Sequence, residues 1–474
     1  MIPPLYEHQK EALRRLEKAD KYALLMDMGT GKSRTIVEDW LRRDNFNLLV
    51  IAPKGVYRNW RGEIDQYTTP LQKKSIMIAH WVSGARKEEK RSIQNVLKNW
   101  HNIRRVFLMN IEALSTVKDA IQSVHDFIDS GPCMVVIDES TRIKSFNSKR
   151  TKNVLEIGAK APVKRILSGL IAPRSPMDVF SQFQFLDWRI LGFRNYYSFR
   201  SEHAILKKMV FGGRSVDTIV GYKNIEDLQN KIAPFSYRVL KDECLDLPPK
   251  IYTERSVDLS AEQEKAYLEL KKNATTLLES GQHVTATIAI SLMQRLHQIT
   301  YGHVRDDLGN VTKIDASPRE NELLNVLEEC SGKTIIWACF RHTIQRIAEL
   351  IIAEYGEESL VQFWGDTSSD EREVSKKRFQ EDPKCRFFLG NPSTGGIGIT
   401  LTAANQVVYY ANSFDLEHRL QSEDRAHRAG LKHSVTYVDL VAKGTIDEKI
   451  LNALRGKINV AASITGELAR EWIR

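Results

Sequence analysis

Three short stretches carry side chains whose types and spacing could do chemistry. The first is Asp27-Met28-Gly29-Thr30-Gly31-Lys32-Ser33, which follows the apolar run Tyr22–Met26 and leads into a helical segment. Glycines let backbone approach a phosphate without a Cβ in the way, and successive N–H groups at a helix start favour negative charge. Lys32 would reach the terminal phosphates of a nucleotide, and the Ser33 hydroxyl would ligate magnesium. The pattern departs from GxxxxGK[ST] at its first position, which here is Met26. A helix-entry loop that merely contains a lysine is the bland alternative.

The second stretch is Asp138-Glu139, directly after Met134-Val135-Val136-Ile137. Two carboxylates at the end of a buried strand are costly unless a ligand uses them, and ligands of open parallel sheets sit at that end. Asp138 would hold magnesium, through water, and Glu139 would orient or deprotonate an attacking water. The third is Arg425-Ala426-His427-Arg428. The run Gln421 to Arg428 reads as a helix, on which the two arginines, three apart, share a face. There they could stabilise charge developing on a transferred phosphoryl group when two lobes close. The competing reading is an ordinary surface pair.

These stretches need elements to hold them. Short apolar runs alternate with helical ones twice along the chain, the mark of α/β sheets with parallel strands buried on both faces. In the first region strands are expected at Ala23–Asp27, Leu48–Ala52, Ser75–Ala79, Val106–Asn110, Met134–Asp138 and Arg165–Ser168. In the second they are expected at Thr334–Cys339, Ser359–Phe363, Arg386–Gly390, Gln406–Tyr410 and Thr436–Leu440. Ser317-Pro318-Arg319-Glu320 reads as a helix start with Ser317 as the cap, and Ser260 with Gln263 reads as a capping box. Between the two regions lies an aromatic and basic stretch, Trp188 to Lys208, which could grip a polyanion or form a small satellite core. Hairpins are expected at Gly212-Gly213 and at Leu308-Gly309-Asn310.

A chain of 474 residues suits two domains plus connecting matter. The formal net charge of +9 admits a polyanionic partner and equally a basic solvated surface. No apolar run approaches the ~20 residues of a membrane span, and Met1-Ile2-Pro3-Pro4 does not open a secretory signal. Cys133, Cys244, Cys330, Cys339 and Cys385 form no metal-spaced set, so reduced thiols and no zinc are expected. These features point to an intracellular, soluble protein without membrane partners, cytoplasmic if its source is bacterial or viral.

From about Leu5 to Ile450 the order of motifs resembles the Swi/Snf-type ATPases of helicase superfamily two. Tyr6 and Gln9 resemble that family's adenine-reading motif, and Met28, Gly29, Thr30, Gly31, Lys32 and Ser33 its nucleotide loop. Ala52-Pro53 with Trp60 and Glu63, the acidic box Asp138 to Lys144, Leu247-Pro248-Pro249-Lys250, Ser393 to Gly398 and Gln421 to Arg428 also match. The resemblance implies two RecA-like parallel-sheet lobes in tandem: 1–176 as the ATP-binding lobe, 177–250 as a helical and hairpin insertion, 251–316 as a helical linker and 317–474 as the second lobe. It further implies ATP hydrolysis with magnesium by a monomeric motor on nucleic acid, with double-stranded DNA as the track. Lys54, Asn110, Arg142, Lys144, Arg341 and Thr394 are the residues expected to meet that track. Thr141, Ser168, Gly396, Gly398 and Gln421 are expected to couple nucleotide state to movement.

The match is broken at Thr141 (the family has histidine), Thr400 (asparagine), Leu431 (glutamine) and above all at Leu170-Ile171. There the family has a hydroxyl residue and a proline. Three functions therefore stay open: a duplex translocase; a strand-separating DNA or RNA helicase, with the Gly212-Gly213 hairpin as wedge; and an ATP-gated DNA clamp with weak hydrolysis.

Overall fold

A computed structural model describes the chain except residues 1, 55, 99–102, 212–213, 280–285, 307, 365–368, 396–398, 429 and 466–474. The chain forms two compact units, one taking in Met1–Ile205 and Gly221–Asp246, the other Leu206–Val220 and Leu247–Ile458. Its strands are, in chain order, β1 Lys21–Met26, β2 Asn47–Ala52, β3 Ile76–His80, β4 Arg104–Asn110, β5 Cys133–Ile137, β6 Val163–Leu167, β7 Ala204–Phe211, β8 Arg214–Tyr222, β9 Ser236–Val239, β10 Lys250–Val257, β11 His303–Arg305, β12 Val311–Lys313, β13 Lys333–Trp337, β14 Leu360–Phe363, β15 Phe387–Gly390, β16 Ala404–Tyr409 and β17 Val435–Ala442.

The first sheet has the order β3-β4-β2-β5-β6-β1-β9, and all of its pairings are parallel. Its central strands β2 and β5 are buried along their whole length, as their unbroken apolar sequences require when helices cover both faces. The second sheet runs β10-β17-β16-β13-β15-β14, again entirely parallel. Every strand expected from the sequence is present, with ends displaced by at most two residues. The architecture is thus two RecA-like parallel-sheet lobes in one chain.

Two strands were not foreseen. β9, in the segment read as insertion, adds an edge strand beside β1. β10, in the segment read as helical linker, pairs β17 over its full length, from Lys250↔Val435 to Val257↔Ala442. Neither shows an apolar run, because an edge strand is half-solvated: most of β10 is exposed or half-buried. Both expected hairpins form, β7–β8 and β11–β12. The Gly212-Gly213 turn lies outside the described residues, and Gly309 turns the second hairpin with φ +92°.

The capping box at Ser260 and Gln263 forms reciprocally, each backbone N–H donating to the other side chain at 3.1 Å. Ser317 does not cap. Its own N–H donates to Asp315 Oδ1 at 3.0 Å, so the helix Ser317–Glu329 takes its cap from a carboxylate two residues earlier, which also suits the helix dipole.

The buried imidazoles of the second unit include His297 and His303. His297 lies within 3.2 Å of the Tyr301 hydroxyl, near Asp447 and Arg319, and the His303 ring lies 5.2 Å from that of His342, near Arg346. Burial pushes both pKa values down to about 4, so each is neutral when folded and takes a proton below about 6.5 when unfolded. The stabilisation is therefore complete above pH 6.5 and disappears as pH falls toward 4. Thermal melts of the protein and of a His297→Gln/His303→Gln variant should diverge in pH slope across that window, by up to ~2–3 kcal/mol per pH unit for the two groups. Parallel slopes would refute neutral burial.

Candidate nucleotide site and its partner motifs

In the first unit the carboxyl ends of β1 and β5 carry the loop and the acidic pair. Gly29 and Gly31 hold φ of +82° and +83°, which a Cβ would strain. A Cβ on Gly31 would also lie 2.1 Å from Gln9 Nε2. Gln9 is 1% exposed and lies against the loop: its Oε1 accepts the Tyr6 N–H at 3.0 Å, and its amide nitrogen lies 3.4 Å from the Gly31 carbonyl. Tyr6, more than half exposed, stacks on His8, whose Nε2 is 2.8 Å from the Thr30 carbonyl. His8 carries no motif signal and escaped the sequence reading. The Thr30 hydroxyl donates to the Asp27 carbonyl at 2.7 Å, closing the turn.

Lys32 and Ser33 open the helix Lys32–Leu41. The Lys32 ammonium donates to the Met26 carbonyl at 2.7 Å and the Asp27 carbonyl at 3.2 Å. Both acceptors are neutral oxygens, which an anionic phosphate outcompetes for an ammonium donor.

Asp138 is buried, and both of its oxygens are held. Oδ2 accepts the Trp60 indole N–H at 2.9 Å and Oδ1 the Glu139 N–H at 3.0 Å. Burial raises its pKa, opposed by the Trp60 bond and by the Lys32 charge. Glu139 follows with φ +51°, a left-handed backbone. Thr141 is buried, and Arg142 and Lys144 are half-buried. Burial raises the Asp178 pKa, opposed by the Arg174 N–H bond and by the Lys144 charge.

Lys54 follows β2, Asn110 ends the adjacent β4, and both bond Glu112. The Lys54 N–H donates to Glu112 Oε2 at 3.0 Å, and the Glu112 N–H to Asn110 Oδ1 at 2.8 Å. Both residues therefore lie at the same end of the sheet as Asp138.

The segment after β6 packs directly on the loop: the nearest neighbours of a Cβ at Gly169 would be Met26 O, Asp27 Cα and Met28 N, at 3.5–3.7 Å. Here the Ser168 hydroxyl bonds the backbone of Leu170, donating to its carbonyl at 2.8 Å and accepting its N–H at 3.1 Å. From β9, Arg238 forms an ion pair with Asp27 Oδ1 at 2.9 Å and donates to the Gly169 carbonyl at 3.1 Å. Sequence reasoning missed Arg238, because nothing local to it reports a partner more than two hundred residues away.

In the second unit the helix Leu416–Ala426 ends before Arg428. Arg425 and Arg428 therefore do not share a helical face. Arg425 is 1% exposed and donates to the Ile399 carbonyl at 3.2 Å, whereas Arg428 lies past the helix and donates to the Thr400 hydroxyl at 2.6 Å. The chain leaves the helix there because His427 turns to extended backbone and its Nε2 meets the Pro248 carbonyl at 2.8 Å. Gln421, on the same helix, bonds Glu417 at 3.4 Å.

A buried network fixes this helix. Arg419 grips Asp439 with two nitrogens, and its Nε donates to Glu423 Oε1 at 2.8 Å. Lys250 and Tyr252 of β10 donate to Glu423 Oε2 at 3.0 and 2.7 Å. Burial would raise the Glu423 pKa, but Lys250 and Arg419 hold it below the ordinary value. Arg341 begins the helix after β13 and lies 4.9 Å above the Trp364 ring. Thr394 lies on the short helix Pro392–Gly395 after the adjacent β15, while Gly396 and Gly398 lie outside the described residues.

The SNF2-related domain matches residues 7–302, and the helicase conserved C-terminal domain matches residues 319–430. The chain belongs to the SNF2-related family. Human "DNA annealing helicase and endonuclease ZRANB3" is 26% identical over 93% of this chain and 38% of its own length. Yeast (Saccharomyces cerevisiae) "TATA-binding protein-associated factor MOT1" is 24% identical over 98% of this chain and 27% of its own length. This SNF2-related chain thus spans about two fifths or less of the curated relatives it matches. Among solved structures, the Sulfolobus solfataricus SWI2/SNF2 ATPase core in complex with dsDNA is 22% identical, covering 98% of this chain and 95% of that one, with a TM-score of 0.42. The SNF2-related chain is a helicase-type ATP hydrolase. None of its described helices is long and apolar enough to cross a membrane.

Proposed function

We propose that the chain is an ATP-driven translocase on double-stranded DNA that remodels DNA or protein–DNA complexes. The observation that carries this reading is the placement of Asp138 and Glu139 at the carboxyl edge of the sheet, with the Lys32 charge acting on Asp138 and Lys54 and Asn110 on the same edge. Residues suited to nucleotide chemistry and polar residues suited to a phosphate backbone, the exposed Lys54 and the half-buried Asn110, thus share one end of the sheet.

In this reading Tyr6 and Gln9 read the base, and Met28 to Ser33 cradle the phosphates. Lys32 neutralises the terminal ones. The buried Asp138 carboxylate and the Ser33 hydroxyl are hard oxygen donors that fit magnesium, and a buried carboxylate with a raised pKa is a group that a cation would stabilise. Bound there, the ion would supply charge neutralisation at the phosphates. Glu139 orients the attacking water and accepts its proton, and Arg425 and Arg428 are the cations of the transition state. Arg142, Lys144, Arg341 and Thr394 join Lys54 and Asn110 as DNA contacts. Thr141, Ser168, Gly396, Gly398 and Gln421 transmit nucleotide state. The net charge of +9 and the DNA-related names of the relatives support duplex DNA as the track.

Phosphate release from ATP, measured without polymer and with single-stranded DNA, duplex DNA or RNA, tests the proposal. Duplex DNA should stimulate turnover most, and duplex affinity should fall at least tenfold between 50 and 200 mM salt as phosphate contacts release counterions. Preferential stimulation by single strands or RNA would establish a helicase instead. Tight nucleotide-dependent DNA binding with almost no turnover would establish a clamp, a reading that the Leu170-Ile171 departure permits.

A further inference from the structure

The side chain of Gln182 is buried and makes three hydrogen bonds. Its Oε1 accepts the Ser140 hydroxyl at 2.6 Å. Its Nε2 donates to the Ile171 carbonyl at 2.7 Å and to the Asp178 carbonyl at 2.8 Å. Ser140 and Gln182 are both fully shielded from solvent. The amide can sit only one way round, because a flip would set its oxygen against two carbonyl oxygens.

The partners give this bond set its meaning. Ser140 is the residue after Glu139, so its position bears on where that carboxylate points. Ile171 ends the segment whose Gly169 packs on Met26 to Met28 of the nucleotide loop. Gln182 therefore closes a ring of contacts: nucleotide loop, Gly169, Ile171, Gln182, Ser140, acidic pair. The Ser168 hydroxyl, which is nearer in sequence to Ile171, is occupied within its own turn. Gln182 bonds both the acidic box, through Ser140, and the segment after β6, through Ile171.

We propose that Gln182 is a positioning residue that ties the acidic box to the segment after β6, so that nucleotide-loop occupancy and the aim of Glu139 are set together. The link acts on the chemical step and not on ATP affinity, since the three hydrogen bonds of Gln182 go to Ser140, Ile171 and Asp178 and not to the nucleotide loop. This inference rests on the proposed DNA-stimulated ATPase activity, and the test separates the two.

Gln182→Met keeps the side-chain length and apolar packing while deleting all three bonds. Its kcat with saturating duplex DNA should fall about tenfold, while KM for ATP stays within twofold of the parent chain. A parent chain that duplex DNA does not stimulate would fail the functional reading and leave no coupling for Gln182 to serve. A stimulated parent with a Gln182→Met kcat within twofold of it would overturn the role of Gln182 alone. Should Gln182→Met unfold below the assay temperature, Ser140→Ala removes one of the three bonds and should lower kcat about threefold at unchanged KM. An unchanged kcat in Ser140→Ala would overturn the link. Where both single variants fold, Ser140→Ala/Gln182→Met should be no slower than Gln182→Met, because the one bond that Ser140→Ala removes is already lost in Gln182→Met; fully additive losses would overturn a direct link.

Discussion

Lys32→Ala should abolish ATP turnover, lowering kcat/KM by about a thousandfold or more, or ~4 kcal/mol of transition-state stabilisation. The ammonium now rests on two backbone carbonyls, 2.7 Å from Met26 O and 3.2 Å from Asp27 O, so it lies beside the turn made by Gly29 and Gly31. Alanine is a good residue in a first helical turn, so the helix Lys32–Leu41 should persist and the loss should read as chemistry. The deletion also removes a cation that lowers the pKa of the buried Asp138, which makes that carboxylate still harder to ionise. Phosphate release with and without DNA checks this; turnover near the parent rate would remove Lys32 from the site.

Glu139→Gln should separate binding from hydrolysis. The amide keeps the shape and hydrogen-bonding reach of the carboxylate but cannot accept a proton from water, so kcat should fall by a factor of about 10²–10⁴ while ATP affinity changes little. Glu139 stands beyond the strand on a left-handed residue, and glutamine meets that backbone on the same terms as glutamate. A fluorescent ATP analogue reports the affinity, and single-turnover phosphate release reports the chemical step. Equal losses in both would mean that Glu139 holds nucleotide and not the attacking water.

The sheets were legible in the sequence wherever a strand was buried on both faces, because such strands cannot avoid being apolar. Leu48 to Ala52 and Met134 to Ile137 are examples. β9 and β10 were not legible, since a half-solvated edge strand carries charges such as Arg238, Glu254 and Arg255 without penalty. The nucleotide loop and acidic pair were readable because each is a contiguous motif. What fixes them was not: Trp60 reaches Asp138 over 78 positions and Ser140 reaches Gln182 over 42. Such bonds leave no periodicity or spacing to read. The Arg425 and Arg428 pair misled, because i,i+3 spacing implies a shared face only while the helix continues, and here it stops at Ala426. Ser317 misled similarly, since Asp315 supplies the oxygen that its position promised.

The left-handed backbone at Glu139 sets two kinds of selection against each other. For a residue with a Cβ that conformation costs ~1–2 kcal/mol relative to glycine. A library at position 139 sorted for thermal stability alone should therefore drift toward glycine and asparagine. The same library sorted for ATP-dependent growth or turnover should hold glutamate. The gap between the two outcomes would measure how much folding stability this chain forgoes at one position to keep a carboxylate there.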